Sequence, residues 1–164
     1  MNEGSKDTAG EKEKQRVFRE LKEVRFEVPG KPVAKARPRF ANGVVYTPDK
    51  THQYEEFVAL MYKREYHDYM FPKDSPLCVV MDFYFKPPKS TSKKKYWEMI
   101  GGELRPIKRT TGDTDNLEKA ILDAGNGVIW PDDSQVVEVT ARKFYGERER
   151  TEIYVTEIAE GDGW

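Results

Sequence analysis

The run LCVVMDFYF, residues 77–85, constrains the fold more than any other part of the sequence. Its β-branched and aromatic residues favour a strand. The prolines of Lys86-Pro87-Pro88 close it. The run is too short to cross a bilayer and is interrupted by Asp82. The chain is therefore expected to build a sheet, with this run as one of its strands.

Alternating and helical periodicities place further elements around this strand. Hairpin turns are predicted at Asn42-Gly43 and at Gly146. A helix from Asp115 would turn an apolar face to the core. The apolar face of that helix is formed by Leu117, Ala120, Ile121 and Ala124. The other predicted elements are strands at 24–28, 128–130, 135–145 and 151–158 and helices at 51–69 and 92–100. This mixture predicts an α+β fold, a single small domain with a mixed β-sheet packed with helices.

The chain has 164 residues, which suits one domain at 23–160. Residues 1–22 form a polar extension, expected to be partly disordered or a short helix. A single cysteine cannot make an internal disulfide, which fits a cytoplasmic protein. Nothing in the sequence predicts a membrane span, a secretory signal or an organic cofactor.

A net charge of −1 conceals strong segregation of charge. Residues 31–40 carry four basic residues and no acidic one, and residues 86–109 carry eight basic residues against two acidic ones. The rest of the chain is strongly acidic. Basic blocks beside an acidic centre suggest a polyanionic partner held near a metal site. For either block taken alone, solvated charge for solubility is the better explanation.

Residues 111–136 concentrate the carboxylates. Asp113 and Asp115 alternate in an extended segment, so their side chains can converge. Asp132 and Asp133 follow in a turn. A strand at that point can run back and place them beside the start of the helix. Aspartate oxygens without nearby histidine or cysteine suit Mg²⁺, with Mn²⁺ able to substitute. Lys119, one turn along the helix, would stabilise charge on a phosphate.

Each of these residues also has an ordinary structural explanation. Asp113 can cap the helix, and Asp115 with Glu118 resembles a capping box. Asp115 and Lys119 have the spacing of an i, i+4 ion pair. Asp132-Asp133 can simply favour a turn after Pro131. For a single residue these explanations are at least as good as catalysis, but none of them accounts for the joint arrangement.

The segments DTDNLEK (113–119) and NGVIWPDDSQV (126–136), with KARPRF (35–40) and VYTP (45–48), resemble the RusA family of Holliday junction resolvases. The resemblance implies a small homodimer that binds four-way DNA junctions and nicks them symmetrically with Mg²⁺ in recombination and repair. It implies that Asp113, Asp115 and Asp133 are the essential acidic residues and Lys119 the essential lysine. Asp132 is a further candidate ligand beside Asp133.

Two basic segments are predicted to contact DNA. The first would bind phosphates, and the second would track a DNA arm and deliver the backbone to the metal. Trp97, within the second segment, is expected to pack in the core. The predicted DNA-binding residues are Lys35, Arg37, Arg39, Lys93, Lys94, Lys95, Lys108 and Arg109.

Three functions remain open at this point. The first is a Mg²⁺-dependent resolvase, as the resemblance implies. The second is a nucleic-acid-binding module without catalysis, in which the aspartates only cap helices and turns. The third is a metal-dependent nuclease for other branched or flap DNA. A bacterial or phage-infected cell, with the protein at the nucleoid, is the expected setting for all three.

Overall fold

The structure, a computed structural model, describes residues 23–46 and 48–159. The predicted short helix in residues 1–22 and the predicted domain end at residue 160 lie outside this part of the chain. Two short 3₁₀ turns, η1 (Arg109–Thr111) and η2 (Asp133–Gln135), also occur. Within the described residues the strands and helices are, in chain order, β1 (Glu23–Pro29), β2 (Arg39–Ala41), β3 (Val44–Tyr46), α1 (Asp49–Tyr66), β4 (Leu77–Phe85), α2 (Lys93–Ile100), α3 (Thr114–Gly125), β5 (Val136–Tyr145) and β6 (Arg150–Glu157).

Strand β4, the LCVVMDFYF run, is an inner strand of the four-stranded sheet, whose order is β1-β6-β4-β5. It pairs in parallel with β5 and antiparallel with β6, while β1 lies antiparallel beside β6. The sheet is therefore mixed, and together with the helices it confirms the predicted α+β class.

The predicted hairpin between β5 and β6 is wrong, because β4 lies between these two strands. Their connection passes the end of β4, where the amide of Gly146 donates to the Phe85 carbonyl at 2.9 Å. An inner position lets the most apolar strand satisfy its backbone hydrogen bonds on both sides. That gain is a property of the whole sheet, so a local turn signal at Gly146 did not reveal it.

Helices α1 and α3 contact each other, and α1 also packs on the sheet. Alternate β4 side chains, from Leu77 to Phe85, are buried on the helix side. The predicted apolar face of α3 is confirmed, since Leu117, Ala120, Ile121 and Ala124 are all buried. Burying each large aliphatic side chain contributes about 1.5–3 kcal/mol to stability.

Residues 128–130 do not form the predicted strand. They belong to a turn closed by an isolated bridge between Asn126 and Trp130. Ile129 and Trp130 are nevertheless buried, as expected. A Cβ on Gly125 would lie 2.4 Å from the Trp130 ring, so this indole packs directly on the last turn of α3. Packing against a helix rather than pairing in a sheet accounts for the apolar run.

Other local predictions vary in outcome. The Asn42-Gly43 hairpin joins β2 and β3, with positive φ at both turn residues, as the favoured two-residue turn requires. Helix α1 ends at Tyr66 and not at residue 69. Trp97 is 57% exposed, so its predicted place in the core is wrong. The short helix α2 buries only Met99 fully, which leaves the indole at the surface.

No helix in the described part of the chain is long and apolar enough to cross a membrane.

Candidate active site

Gly112, two residues before the first residue of α3, holds the start of this helix in place. Gly112 has a φ of 84°, and a Cβ there would lie 2.8 Å from the Cβ of Ala34. Only glycine combines this backbone conformation with so close an approach. The Gly112 carbonyl accepts a hydrogen bond of 2.7 Å from the Lys143 ammonium on β5. The segment that carries Asp113 is therefore fixed between residue 34 and the sheet.

The ordinary structural roles proposed for the first aspartates are not realised. Asp113 occupies the N-cap position of α3, but its side chain makes no capping hydrogen bond. Asp115 lies inside the first turn, so it cannot serve as the cap residue of a capping box. No ion pair joins Asp115 to Lys119 among residues 23–46 and 48–159. Both aspartates and Lys119 are exposed at the helix N-terminus, which favours negative charge.

The second acidic segment differs between its two residues. The Asp132 carboxylate accepts a hydrogen bond of 2.8 Å from the Ser134 amide. Hydrogen bonding with Ser134, first with its side chain and then with this amide, lowers the pKa of Asp132. The turn-forming role is thus realised for Asp132. Asp133 is half-buried in η2, which contacts α3. Gln135 fixes η2 through hydrogen bonds to the carbonyls of Pro72 and Ser75.

The two acidic segments are neighbours, because η2 contacts α3. Within the residues that the structure describes, no group of three histidine, cysteine, aspartate or glutamate side chains is placed to hold a metal ion. The donor chemistry still fits a hard cation, since Asp113, Asp115 and Asp133 present carboxylate oxygens without cysteine or histidine. The roles of these three residues and of Asp132 as ligands therefore stay predictions.

Lys143 is a neighbour of the site that the sequence did not reveal. Burial lowers the pKa of Lys143, while the nearby charge of Asp113 acts in the opposite direction. Lys143 lies on the helix side of β5, in line with Val139 and Ala141. A lysine at an inward position of an alternating strand was the signal that could have found it.

Lys35 is placed differently from the other basic residues. Its ammonium bonds the Glu55 carboxylate at 3.2 Å and also pairs with Asp123. Burial acts to lower the pKa of Lys35, but these two carboxylates raise it above its ordinary value. Lys35 therefore connects its own segment to α1 and α3. Its contact with a phosphate stays a prediction.

Most of the remaining predicted DNA contacts are on the surface. Arg37 is exposed, and Arg39 belongs to β2. Three lysines start α2, and two basic residues stand at η1, directly before Gly112. The exposed residues of these two groups are Lys93, Lys94, Lys95, Lys108 and Arg109.

A cleft of about 660 Å³ opens beside η1, between the segment that follows β1 and the start of α1. Its basic residues are Lys31, Lys50 and Arg109, and no acidic residue of the described ranges lines it. Gly112 forms part of the lining, so the cleft ends next to Asp113. The lining of this positively charged cavity, which also has apolar walls, thus includes the residue directly before Asp113.

An α+β domain with carboxylates and a lysine beside a basic cleft has the features of an enzyme that acts on phosphodiesters. Comparison with known protein families identifies the family of this chain. The family model described as Endodeoxyribonuclease RusA matches residues 29–156. The chain belongs to the RusA family of endodeoxyribonucleases, which confirms the resemblance.

A relative is also found in Bacillus subtilis (strain 168). It is the uncharacterized protein YqaN, which is 37% identical over 142 residues. The match covers 83% of this chain and 97% of YqaN. The similarity therefore extends over most of this chain and over almost all of the relative.

Proposed function

We propose that this protein is a Mg²⁺-dependent endonuclease that resolves four-way DNA junctions by paired symmetric nicks. The observation that carries the proposal is the start of α3 in a chain of the RusA family. There Asp115 and Lys119 are exposed without a partner among the described residues. The Asp113 side chain makes no capping hydrogen bond to the helix. The setting would be recombination and repair of DNA in the cytoplasm.

The proposed roles follow from the chemistry of each side chain. Asp113, Asp115 and Asp133 would hold the metal, with Asp132 beside them. When bound, Mg²⁺ supplies an activated water and neutralises charge on the phosphate. Lys119 would offer its ammonium to a phosphate oxygen. Mn²⁺ has the same preference for oxygen ligands and would substitute.

Lys143 would act on the site through another residue. Its hydrogen bond to the Gly112 carbonyl fixes the segment that carries Asp113. Its positive charge also lies close enough to influence Asp113. Lys143 is therefore a proposed positioning residue and not a group that touches DNA.

Phosphate contacts would come from the predicted basic residues other than Lys35. An arginine offers a bidentate fork to a phosphate, and a lysine offers a point charge. The residues proposed to contact the DNA backbone are Arg37, Arg39, Lys93, Lys94, Lys95, Lys108 and Arg109. Lys35 would support this surface from below, because its charge is paired with Glu55 and Asp123.

Two symmetric nicks need two active sites, so we propose a homodimer. The edge strand β5 supports this proposal. Val137 and Val139 on β5 are 59% and 37% exposed, and an apolar edge of this kind readily pairs with another strand. Sedimentation velocity tests it: the wild-type protein should sediment as a dimer, and Val139→Lys should shift it to a monomer. A monomeric wild type at micromolar concentration would contradict the dimer.

The function is tested by incision of a synthetic four-way junction with an end label on each strand in turn. Wild-type protein should make paired cuts on opposing strands with Mg²⁺ and none with EDTA. Asp115→Asn should abolish the cuts, and Glu56→Gln, an exposed acidic residue of α1, should leave them unchanged. Full cleavage by Asp115→Asn would overturn the site assignment.

The same assay separates the proposed function from its alternatives. Three-way and flap substrates, labelled in the same way, are tested in parallel with the four-way junction. Faster cleavage of flaps than of junctions would favour a nuclease for other branched DNA. Binding of the junction without any cleavage in Mg²⁺ or Mn²⁺ would favour a non-catalytic binding module.

A further inference from the structure

Two adjoining cavities form one groove along an end of the sheet. The cleft of about 660 Å³ beside η1 is the larger cavity. A second cavity of about 130 Å³ lies beyond it, where β4 and β5 end. Both are lined by Lys31, Thr110 and Thr111, so they meet at these residues. We call the two together the end groove.

The end groove has the charge distribution of an anion track. Lys31, Lys50 and Arg109 line the larger cavity, while Lys86 and Lys108 extend the row into the smaller one. Within the part of the chain that the structure describes, Glu149 is the one acidic residue that lines either cavity. A row of cations with so little counter-charge attracts a chain of phosphates.

The larger cavity also has apolar walls, which a purely phosphate-binding surface does not need. Pro32, Val33, Ala34 and Pro48 face the space. Its volume lies within the range of about 300–1,000 Å³ typical of small-ligand sites. A base buries its flat faces against apolar surface when it leaves the stack. Base pairs within a duplex cannot enter such a cavity, whereas an unstacked nucleotide can.

We propose that the end groove binds a single DNA strand and that its larger cavity takes one unstacked base of that strand. This inference rests on the proposed function, because the groove leads through Gly112 to Asp113. The nucleotide in the cavity would neighbour the phosphate to be cut. Strands at the exchange point of a junction are open to such unstacking. The groove thus favours branched DNA over a continuous duplex.

The first experiment measures binding without cleavage, in a Mg²⁺-free buffer, by fluorescence anisotropy of a labelled four-way junction. Lys31→Ala removes the cation shared by both cavities, and Lys86→Ala removes one from the smaller cavity. Each should weaken binding about fivefold or more and lower the slope of log affinity against log salt by about 1. The matched control is Lys63→Ala, an exposed lysine in the last turn of α1.

The second experiment reports on the base itself. Junctions carry 2-aminopurine at successive positions around the exchange point, and one position should brighten on binding to wild-type protein as its base unstacks. Ala36→Leu narrows the cavity without a change of charge and should abolish this brightening while it preserves the salt slope. Circular dichroism and thermal melting establish that each variant is folded.

The outcomes distinguish this inference from the proposed function. If Lys31→Ala and Lys86→Ala bind like Lys63→Ala, or if no 2-aminopurine position brightens, the end groove does not hold the strand, even where the wild type cleaves junctions. If the groove variants lose binding as expected but the wild type never cleaves with Mg²⁺, the groove stands and the enzymatic function fails.

Discussion

Two groups of charged residues on α3 contrast in their partners. Near the end of the helix, Asp123 is paired with Lys35, which also bonds Glu55. At its start, Asp115 and Lys119 are exposed and make no ion pair within the described residues. The first group is partly buried and holds three segments together. Charges that stabilise the fold are thus neutralised inside it, and charges left unpaired are available to a substrate or a metal.

The largest effect is expected from Asp115→Asn, measured against Asp123→Asn. Loss of a metal-binding carboxylate should remove about 4 kcal/mol of charge stabilisation and slow junction cleavage on the order of a thousandfold. The melting temperature should be unchanged, because Asp115 has no partner in the described chain. Single-turnover cleavage and thermal melting check both points.

Asp123→Asn should give the opposite result, a lower melting temperature with full activity of the folded protein. If Asp115→Asn destabilised the fold and Asp123→Asn abolished cleavage, the contrast between the two ends of α3 would be the wrong way round.

Lys119→Ala should slow the chemical step about a hundredfold, since one preorganised donor to a developing negative charge contributes about that much. The affinity for the junction should change little. Single-turnover cleavage with saturating protein isolates this step. Lys63→Ala serves as the control for loss of a surface lysine, and equal rates for the two variants would exclude Lys119 from the mechanism.

Lys35→Met should cost about 2 kcal/mol of unfolding free energy, because it leaves Glu55 and Asp123 partly buried without their cation. Urea denaturation followed by circular dichroism measures this loss. The same titration of Lys119→Ala should lie within about 0.5 kcal/mol of the wild type, as expected for an unpaired surface residue. Equal stabilities for the two variants would remove the distinction.

Glu27 and Arg148 provide an intermediate case, a pair that is largely exposed to solvent. The hydrogen bond from Arg148 lowers the pKa of Glu27 below its ordinary value of 4.5. The pair therefore stabilises the fold above pH 4.5, and this contribution is lost as the pH falls through the lowered pKa. Because Glu27 is 39% exposed, the effect should be no more than about 0.5 kcal/mol.

Glu27→Gln should therefore flatten the acid side of the stability profile slightly. Urea denaturation between pH 3 and 6 measures this change. A stability profile identical to that of the wild type would show that this pair contributes nothing, as is common for surface ion pairs.

Local patterns predicted most of the elements correctly. The apolar face of α3, the Asn42-Gly43 hairpin and the strand at residues 77–85 each depend on side chains that are close in sequence. Two errors have a common cause. Trp97 and residues 128–130 are apolar, and the pattern cannot tell which element, if any, packs against them.

The acidic motif was visible in the sequence, but its surroundings were not. Lys35 looked like a phosphate-binding residue, and its partner Asp123 is 88 positions away. Lys143 looked like an ordinary strand residue, although it holds the carbonyl of Gly112 across 31 positions. Contacts over such distances depend on how strands are ordered, and a single sequence does not specify that order.

The sequence by itself determined the α+β class, the inward faces of β4 and α3, and the aspartates and lysine that resemble the RusA family. Periodicity and residue chemistry are local properties, so they can be read along the chain. Only the tertiary structure decided that β4 separates β5 from β6, that Lys35 is neutralised and that a basic groove ends beside Asp113. These features arise when distant segments compete to bury apolar surface and pair charge, and that competition is resolved by the whole fold.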